Sequence, residues 1–296
     1  MRLCIIFNPT ARGEKARRFR HHLDAFASQC SIKLTAAAGD ARRLASEAVA
    51  EGFDTVVAAG GDGTLNEVLN GIGDIQDGFD RARLGVLPLG TVNVFARELA
   101  IPAKVGPAWE ILGRGRETRI DLPCVEYGSD GGIRRRYFAQ LAGAGLDARA
   151  IELVQWELKK KIGPLAYVLA GFDALRGPAS VITAAGGGHS ATGGLVLLGN
   201  GRFYGGQYRI FPKADPRDGL LEVCVFPRVN WLTLARCAPR LLLSGSLPVA
   251  AARTFQAESL TLTSPCSTPL EVDGELIGHL PATFSIQRSR LRVVVP

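Results

Sequence analysis

The sequence has few residues suited to metal binding or disulfide formation. Among 296 residues there are six cysteines and four histidines, and no two cysteines form a C-x-x-C pair. This pattern argues against a zinc site and a disulfide framework. No stretch reaches the ~18 apolar residues of a transmembrane helix. The apolar run at the amino terminus ends at Pro9, which is too short for a signal peptide. We therefore expect a cytosolic protein.

Length and composition are those of a folded protein. At about 150 residues per domain, 296 residues suggest two domains. Hydrophobic residues make up 47% and charged residues 21%, which excludes a disordered regulator because such chains are poor in apolar residues. The net charge of +7 favours anionic partners. Nucleotides, phospholipid surfaces and nucleic acid all fit that charge.

The first hundred residues alternate between strand and helix patterns. Asp40 is the predicted N-cap of the second helix. The predicted strands are Leu3–Phe7, Ile32–Thr35, Thr55–Ala59 and Leu84–Leu87, and the predicted helices are Ala11–Cys30, Asp40–Glu51, Leu65–Ile72 and Val92–Leu99. This alternation is typical of an α/β domain with a parallel sheet and helices on both faces.

The second half of the chain has the composition of a β-rich, sandwich-like domain. Predicted strands there are YFAQLAGAG (137–145), SVITAAG (180–186), GLVLLGN (194–200), LLEVCVF (220–226), SLTLTS (259–264), ATFSIQ (282–287) and LRVVVP (291–296). Helical insertions are predicted at 148–176 and 231–243, and a hairpin loop at 186–188. We expect an α/β domain at 1–122 and a β-rich domain at 123–287. Whether residues 288–296 return to the first domain is left open.

The glycine-rich loop GGDGT at 60–64 stands between a buried strand and a helix. Consecutive glycines let the backbone approach a phosphate closely, and the N–H groups at the start of the helix bind negative charge. Asp62 inside such a loop suggests a Mg²⁺ ligand, or a group that orients or deprotonates an attacking hydroxyl. The alternative is a tight turn with Asp62 as a helix cap. The loop matches neither a Walker A motif nor G-x-G-x-x-G.

A second loop, PLGTVN at 88–93, also follows a strand and opens a helix. Asn8 and Thr35 end two further strands. In an open α/β sheet, the loops at the carboxyl ends of the strands line the binding crevice. Four polar loops at that edge therefore predict a nucleotide site.

These motifs resemble the diacylglycerol kinase catalytic domain family, which includes soluble bacterial lipid kinases, sphingosine kinases and ceramide kinases. The matching segments follow one another along almost the whole chain: GGDGTLNEVLNG (60–71), LGTVNVFARELAIP (89–102), AGAGLDA (142–148), KKKIGPLAYVLAG (159–171), GNGRFYGGQYRIFPKADPRDGLLEV (199–223) and EVDGE (271–275). GGDGT alone is less specific, because NAD kinases share it.

The resemblance implies that ATP binds the first domain. The matching positions are Asn8, Thr35, Gly60, Gly61, Asp62, Gly63, Thr64, Leu65, Asn66 and Thr91. The chain departs from the family after Pro9, where TARG replaces a Lys-Ser-Gly-type stretch.

The resemblance also assigns the EVDGE motif to proton transfer. Glu275 matches the residue usually named as proton acceptor, with Asp273 as its partner or as the base itself. Phosphoryl transfer to an alcohol needs such an acceptor in line with the γ-phosphate. The residues alone fit a surface turn equally well, since Asp-Gly is a favoured hairpin dipeptide.

A third group of positions resembles a Mg²⁺-binding loop of the family. The resemblance implies carboxylate ligands from Asp215 and Asp218 and a backbone carbonyl ligand from Leu220. Mg²⁺ prefers oxygen ligands and keeps several waters, so this is a sensible partial set. The alternative is a solvated turn. Asp147 is a further candidate, although capping of the following helix explains it equally well.

The function predicted from these positions is an ATP- and Mg²⁺-dependent lipid kinase that reaches its substrate from the membrane surface. Two basic and apolar segments, 156–175 and 229–249, suit an anionic lipid interface, or else pack as ordinary amphipathic helices. The alternatives are an NAD kinase and a non-catalytic lipid- or nucleotide-binding regulator. No nucleic-acid motif is present. The acceptor lipid and a homodimeric state are left open.

Overall fold

The computed structural model describes residues 2–9, 19–20, 30–114, 116–129, 131–153, 174–177, 180–231, 233, 244–246 and 252–296. The helices are α1 Asp40–Ala50, α2 Asp62–Gly73, α3 Gly78–Arg81, α4 Val94–Glu98, α5 Val105–Arg114 and α6 Leu146–Leu153. The strands are β1 Leu3–Phe7, β2 Ser31–Leu34, β3 Thr55–Gly60, β4 Arg83–Pro88, β5 Glu117–Ser129, β6 Gly132–Tyr137, β7 Leu141–Gly145, β8 Ile182–Gly186, β9 His189–Gly193, β10 Leu195–Gly199, β11 Phe203–Tyr204, β12 Tyr208–Arg209, β13 Leu221–Phe226, β14 Arg253–Ala257, β15 Ser259–Thr263, β16 Pro269–Val272, β17 Glu275–His279 and β18 Ala282–Val294.

The amino-terminal domain is built on four parallel strands in the order β2-β1-β3-β4. Strands β1 and β3 are buried along their whole length, which explains why both read as continuous apolar runs. Helices α1 and α2 pack on each other, α2 also packs on β3, and α5 packs on β4. The predicted strands and the last three predicted helices of this domain are confirmed, with ends shifted by up to three residues. The helix predicted at 11–30 lies almost entirely outside the described residues.

The predicted N-cap of α1 is wrong. Gly39 caps the helix in a left-handed conformation (φ 86°), and Asp40 is its first residue. The Asp40 carboxylate instead accepts the N–H groups of Ala36 and Ala37 from the preceding loop. The free N–H groups of Gly39 and Ala41 are bound by Glu67 of α2, at 2.9 and 3.0 Å. A side chain from a distant helix thus replaces the local cap.

The carboxyl-terminal half is a sandwich of two mainly antiparallel sheets, as the composition predicts. One is the six-stranded sheet β14-β13-β10-β7-β16-β17. The other continues the first domain's sheet through β18, β15, β8 and β9, with β5 and β6 attached. Their inner faces share one apolar core, in which Phe138 and Phe284 are fully buried. Gly187 and Gly188, both at positive φ, form the hairpin loop predicted between β8 and β9.

Two long strands connect the halves. β5 and β18 pair antiparallel with an irregularity between Gln287 and Leu291, and Val293 of β18 pairs in parallel with Leu84 of β4. ATFSIQ and LRVVVP, predicted as separate strands, therefore belong to one strand. Conversely, the strand predicted at 137–145 is interrupted at residues 138–140. The N–H groups of Ala139 and Gln140 donate there to the side chain of Asp273.

No helix among the described residues is long and apolar enough to cross a membrane.

Candidate active site

Four loops meet at the carboxyl edge of the parallel strands. The N–H of Asn8 donates to the carbonyl of Ala59 over 3.1 Å, and the N–H of Thr35 donates to the carbonyl of Phe7 over 3.0 Å. The Asn8 side chain reaches the glycine-rich loop, where its Nδ2 donates to Thr64 Oγ1 over 3.3 Å. The strand order therefore brings these sequence-predicted residues together.

The glycine-rich loop and the second loop pack backbone against backbone. The carbonyl of Gly60 accepts the N–H groups of Leu89 and Gly90, at 2.9 and 3.1 Å. A Cβ at Gly90 would lie 2.5 Å from the Cα of Gly61, so a side chain at Gly90 would separate the loops. Thr91 follows at the exposed surface of the second loop. The result is a glycine-lined surface of the kind that admits phosphate groups.

Asp62 is the first residue of α2 and points toward the start of α4. Backbone N–H groups of residues 93–95 donate to its carboxylate, that of Phe95 over 3.4 Å to Oδ1. Burial, and to a smaller extent the negative charge of Asp273, raise the pKa of Asp62 to about 6. Asp62 is therefore mostly ionised at pH 7 but close to its titration range.

Asp273 and Gly274 form the two-residue turn between β16 and β17, with φ of 48° and 84°. Two positive φ values in succession are typical of a type I′ hairpin turn, which Asp-Gly favours. The Asp273 carboxylate accepts four hydrogen bonds, from the N–H groups of Ala139, Gln140 and Leu141 and from Asn66 Nδ2, at 2.8–3.1 Å. These bonds account for the interrupted strand at 138–140. Burial raises the pKa of Asp273, and these bonds oppose that rise.

Asp273→Ala is expected to lower the free energy of unfolding by about 3–5 kcal/mol. The substitution leaves four donors without an acceptor, and each orphaned buried donor costs about 1–3 kcal/mol before relaxation or water entry. Urea unfolding measures the change. The matched control is Asp77→Ala, since Asp77 also has a positive φ, 56°, but is exposed and makes no side-chain capping bond. Equal losses in both variants would contradict this role for Asp273.

Glu275 begins β17 and reaches over the glycine-rich loop. A Cβ at Gly63 would lie 2.9 Å from Glu275 Oε1, so the carboxylate passes directly over that glycine. On its other side Oε2 pairs with Arg136 Nη2 at 2.6 Å. Burial raises the pKa of Glu275, and the positive charge of Arg136 opposes that rise. The GGDGT and EVDGE motifs, more than 200 residues apart in the sequence, thus come together at one place.

Asn66 links the glycine-rich loop to the second domain. Its Nδ2 donates to Asp273 Oδ2 over 2.8 Å, and its Oδ1 accepts from Arg136 Nη2 over 2.7 Å. Asn70, one turn later on α2, donates to the carbonyl of Tyr137 over 2.9 Å. Both asparagines are buried, and the helix is held against β6 by polar contacts.

Sequence patterns do not single out Arg136 and Glu98. Glu98 ends α4 and is buried, and it accepts the backbone N–H and Nε of Arg202 at 2.7 and 2.8 Å. It therefore joins the second loop's helix to the carboxyl-terminal half. Arg136 stands in the segment IRRRYF, and in a strand every second side chain shares a face. This alternation predicts which side chains share a face with Arg136, but it does not predict which face of the strand lies toward the site.

In the loop predicted to bind Mg²⁺, residues 215–220, the carboxylates accept hydrogen bonds from backbone N–H groups of the same loop. Asp215 Oδ1 accepts the N–H of Arg217, and Asp218 Oδ1 accepts the N–H of Leu220, at 3.1 and 2.9 Å. Burial raises the pKa of Asp218, and the negative charges of Asp215 and Asp121 raise it further. The loop therefore gathers carboxylates whose repulsion a cation would relieve. Within the described ranges, no cluster of three or more His, Cys, Asp or Glu is placed to hold a metal.

Asp147 lies in the first turn of α6, in the sandwich rather than beside the glycine-rich loop. It accepts a hydrogen bond from the Tyr204 hydroxyl and contacts Glu271. A Cβ at Gly143 would lie 2.8 Å from a carboxylate oxygen of each acid. Burial raises the pKa of both acids, and the negative charge of Asp147 raises that of Glu271 further.

The two predicted membrane segments, 156–175 and 229–249, lie largely outside the described residues. Trp231, in the described part of the second, has 49% of its surface exposed.

Comparison with known proteins gives two family matches. Residues 2–125 match the diacylglycerol kinase catalytic domain, and residues 140–295 match the YegS C-terminal NAD kinase beta sandwich-like domain. A diacylglycerol kinase of Staphylococcus aureus (strain bovine RF122 / ET3-1) is 31% identical over 99% of this chain and 91% of its own length. A diacylglycerol kinase of Staphylococcus saprophyticus is 30% identical over 99% of this chain and 94% of its own length.

Solved structures agree on the fold. A crystal structure of a putative diacylglycerol kinase from Bacillus anthracis superposes with a TM-score of 0.79 at 22% identity, covering all of this chain and 97% of that one. A second structure from the same organism gives a TM-score of 0.77. By its domain matches and by its full-length relatives, the chain belongs to the diacylglycerol kinase family and is a lipid kinase.

Proposed function

We propose that this kinase transfers the γ-phosphate of ATP to the hydroxyl group of a membrane lipid, with diacylglycerol as the first acceptor to test. The observation that carries the proposal is the position of Glu275, from the second domain, directly over Gly63 of the glycine-rich loop. A phosphate-binding surface and a carboxylate suited to accept a proton thereby face the same space.

The reaction follows from these residues. ATP lies against the loops that contain Asn8, Thr35 and Thr91 and against residues 60–66, with its phosphates at the glycines. The lipid hydroxyl gives its proton to Glu275 as its oxygen bonds to the γ-phosphorus. The bond from that phosphorus to the β,γ-bridging oxygen breaks, and ADP leaves. Asp273 positions the turn through its four hydrogen bonds, while Asp62 is available to orient the phosphates or their cation.

Mg²⁺ fits two places in this proposal. Bound beside Asp62, it would neutralise charge on the phosphate oxygens. The oxygen-only set of Asp215, Asp218 and the Leu220 carbonyl suits a second, structural Mg²⁺, because the negative charges of Asp215 and Asp121 add to burial in raising the pKa of Asp218.

We further propose that the enzyme works at a membrane surface, with residues 1–122 and 288–296 binding the nucleotide and residues 123–287 the lipid. The basic and apolar segments at 156–175 and 229–249 are the candidate contacts. A basic residue near an anionic surface contributes about 1 kcal/mol to binding.

A lipid panel with labelled ATP tests the function. The purified protein, ATP and Mg²⁺ are incubated with mixed micelles of diacylglycerol, a sphingoid base, ceramide or phosphatidylglycerol, and products are identified by mass spectrometry. We expect one lipid to be phosphorylated at least tenfold faster than NAD, which tests the alternative suggested by the NAD kinase-like character of residues 140–295. Turnover on NAD alone, or nucleotide binding without any turnover, would contradict the proposal.

A further inference from the structure

Arg136 contacts both the glycine-rich loop and the EVDGE motif. Its Nε and Nη2 donate to Asn66 Oδ1 over 3.0 and 2.7 Å, and Nη2 also pairs with Glu275 Oε2 at 2.6 Å. Only 18% of its side chain is exposed. A guanidinium that is already fixed by Asn66 loses little further freedom when it holds the Glu275 carboxylate. Arg136 therefore determines where the Glu275 side chain lies.

Charge matters here as well as position. Glu275 is partly buried, and the negative charges of Glu67 on α2 and Asp273 in the turn act on it. Burial and both negative charges favour the protonated form of Glu275, which cannot accept a proton. Among the described residues whose charges act most strongly on Glu275, Arg136 is the cation that favours the ionised form.

We infer that Arg136 is a positioning residue that keeps Glu275 ionised and directed at the acceptor hydroxyl. Arg136 belongs to the second domain and binds Asn66 of the first. It therefore orients Glu275 only when the two domains are packed against each other. The inference rests on the proposed role of Glu275 as proton acceptor.

The chain offers a matched control in the preceding residue. Arg135 lies on the opposite face of β6, where its Nη2 pairs with Glu126 at 2.6 Å, and it is half-exposed. Arg136→Gln and Arg135→Gln each remove one paired arginine from the same strand. Only the first removes a cation from Glu275.

The direct measurement is a titration of Glu275 by carboxyl ¹³C NMR, with its resonance assigned as the one lost in Glu275→Gln. Because 37% of the Glu275 side chain is exposed, solvent screens the charge of Arg136, and we expect Arg136→Gln to raise the pKa of Glu275 by roughly half a unit. Arg135→Gln should leave it within about 0.2 units, on the order of measurement error for a remote charge. Arg136→Lys, which keeps the charge, should give a smaller rise than Arg136→Gln, and it replaces that variant if Arg136→Gln does not fold.

Turnover gives the second readout. We expect the rate loss in Arg136→Gln to be largest below neutral pH and to diminish as pH rises, whereas a merely structural role would lower the rate equally at every pH. If Arg136→Gln leaves the pKa of Glu275 unchanged, or if its loss of rate is equal at all pH values, the inference is wrong. A moved resonance together with full activity of Glu275→Gln would instead show that the contact exists and that the proposed base is wrong.

Discussion

Asp62→Asn is expected to make the protein more stable at pH 7. It should also lower kcat by about 10²-fold or more, because a group that orients the phosphates or their cation is lost. The pKa of Asp62 is about 6 in the folded protein, against about 3.9 for an unperturbed aspartate. The folded state therefore holds the proton more tightly, and its stability falls as pH rises through this window. A pKa difference of about two corresponds to about 3 kcal/mol, of which we expect about 1–3 kcal/mol to be recovered by asparagine.

The pH dependence separates this explanation from a capping role. The stability gained by Asp62→Asn should be fully present at pH 7.5 and largely lost at pH 4, where the carboxyl is protonated in the folded state and about half protonated in the unfolded state. Urea unfolding at the two pH values measures it. Asp77→Asn, an exposed substitution away from the glycine-rich loop, is the control and should change neither stability nor rate. A variant that is less stable at both pH values and still active would show that Asp62 is a structural cap.

Much of the amino-terminal domain follows from local sequence. Short apolar runs bounded by Gly, Pro or Asn predict β1, β3 and β4, because strands buried on both faces must be apolar throughout. Once the strands are parallel, their carboxyl ends share one edge, which brings Asn8 to Thr64. A local pattern combined with a topological rule is sufficient there.

The part of the site that the carboxyl-terminal half contributes depends on contacts between distant residues. Arg136 pairs with Glu275 across 139 positions, and Asp273 binds the N–H of Ala139 across 134. Neither contact leaves a periodic trace in the sequence. Arg136 lies in a run of three arginines typical of a solvated strand face, and the DG dipeptide predicts only a turn. The same cause explains the strand break at 138–140, since the N–H groups of Ala139 and Gln140 bind the Asp273 carboxylate instead of a neighbouring strand.

Glu275→Gln is expected to lower kcat by about 10²–10⁴-fold, the usual contribution of a positioned general base. Glutamine keeps the shape of the side chain and an oxygen for Arg136 but cannot take the proton. The fold should survive, because the ion pair is partly exposed, with 37% of the Glu275 side chain accessible, and pairs of this kind contribute up to about 1 kcal/mol. The control is Glu126→Gln, which removes the partner of Arg135 at 2.6 Å and should leave the rate unchanged.

The division between kcat and KM identifies the step that Glu275 serves. In the proposed reaction, proton transfer to Glu275 occurs only as the lipid oxygen attacks, so the carboxylate would stabilise the transition state and contribute little to ground-state binding. Steady-state kinetics of Glu275→Gln should therefore show kcat and kcat/KM falling together, with KM for ATP within about threefold of the wild-type value. A large rise in KM with kcat preserved would mean that Glu275 binds the nucleotide or orients the lipid. The proton would then have to leave through another group, and Asp62, which is mostly ionised at pH 7 and precedes Gly63, over which Glu275 lies, would be the next carboxylate to test.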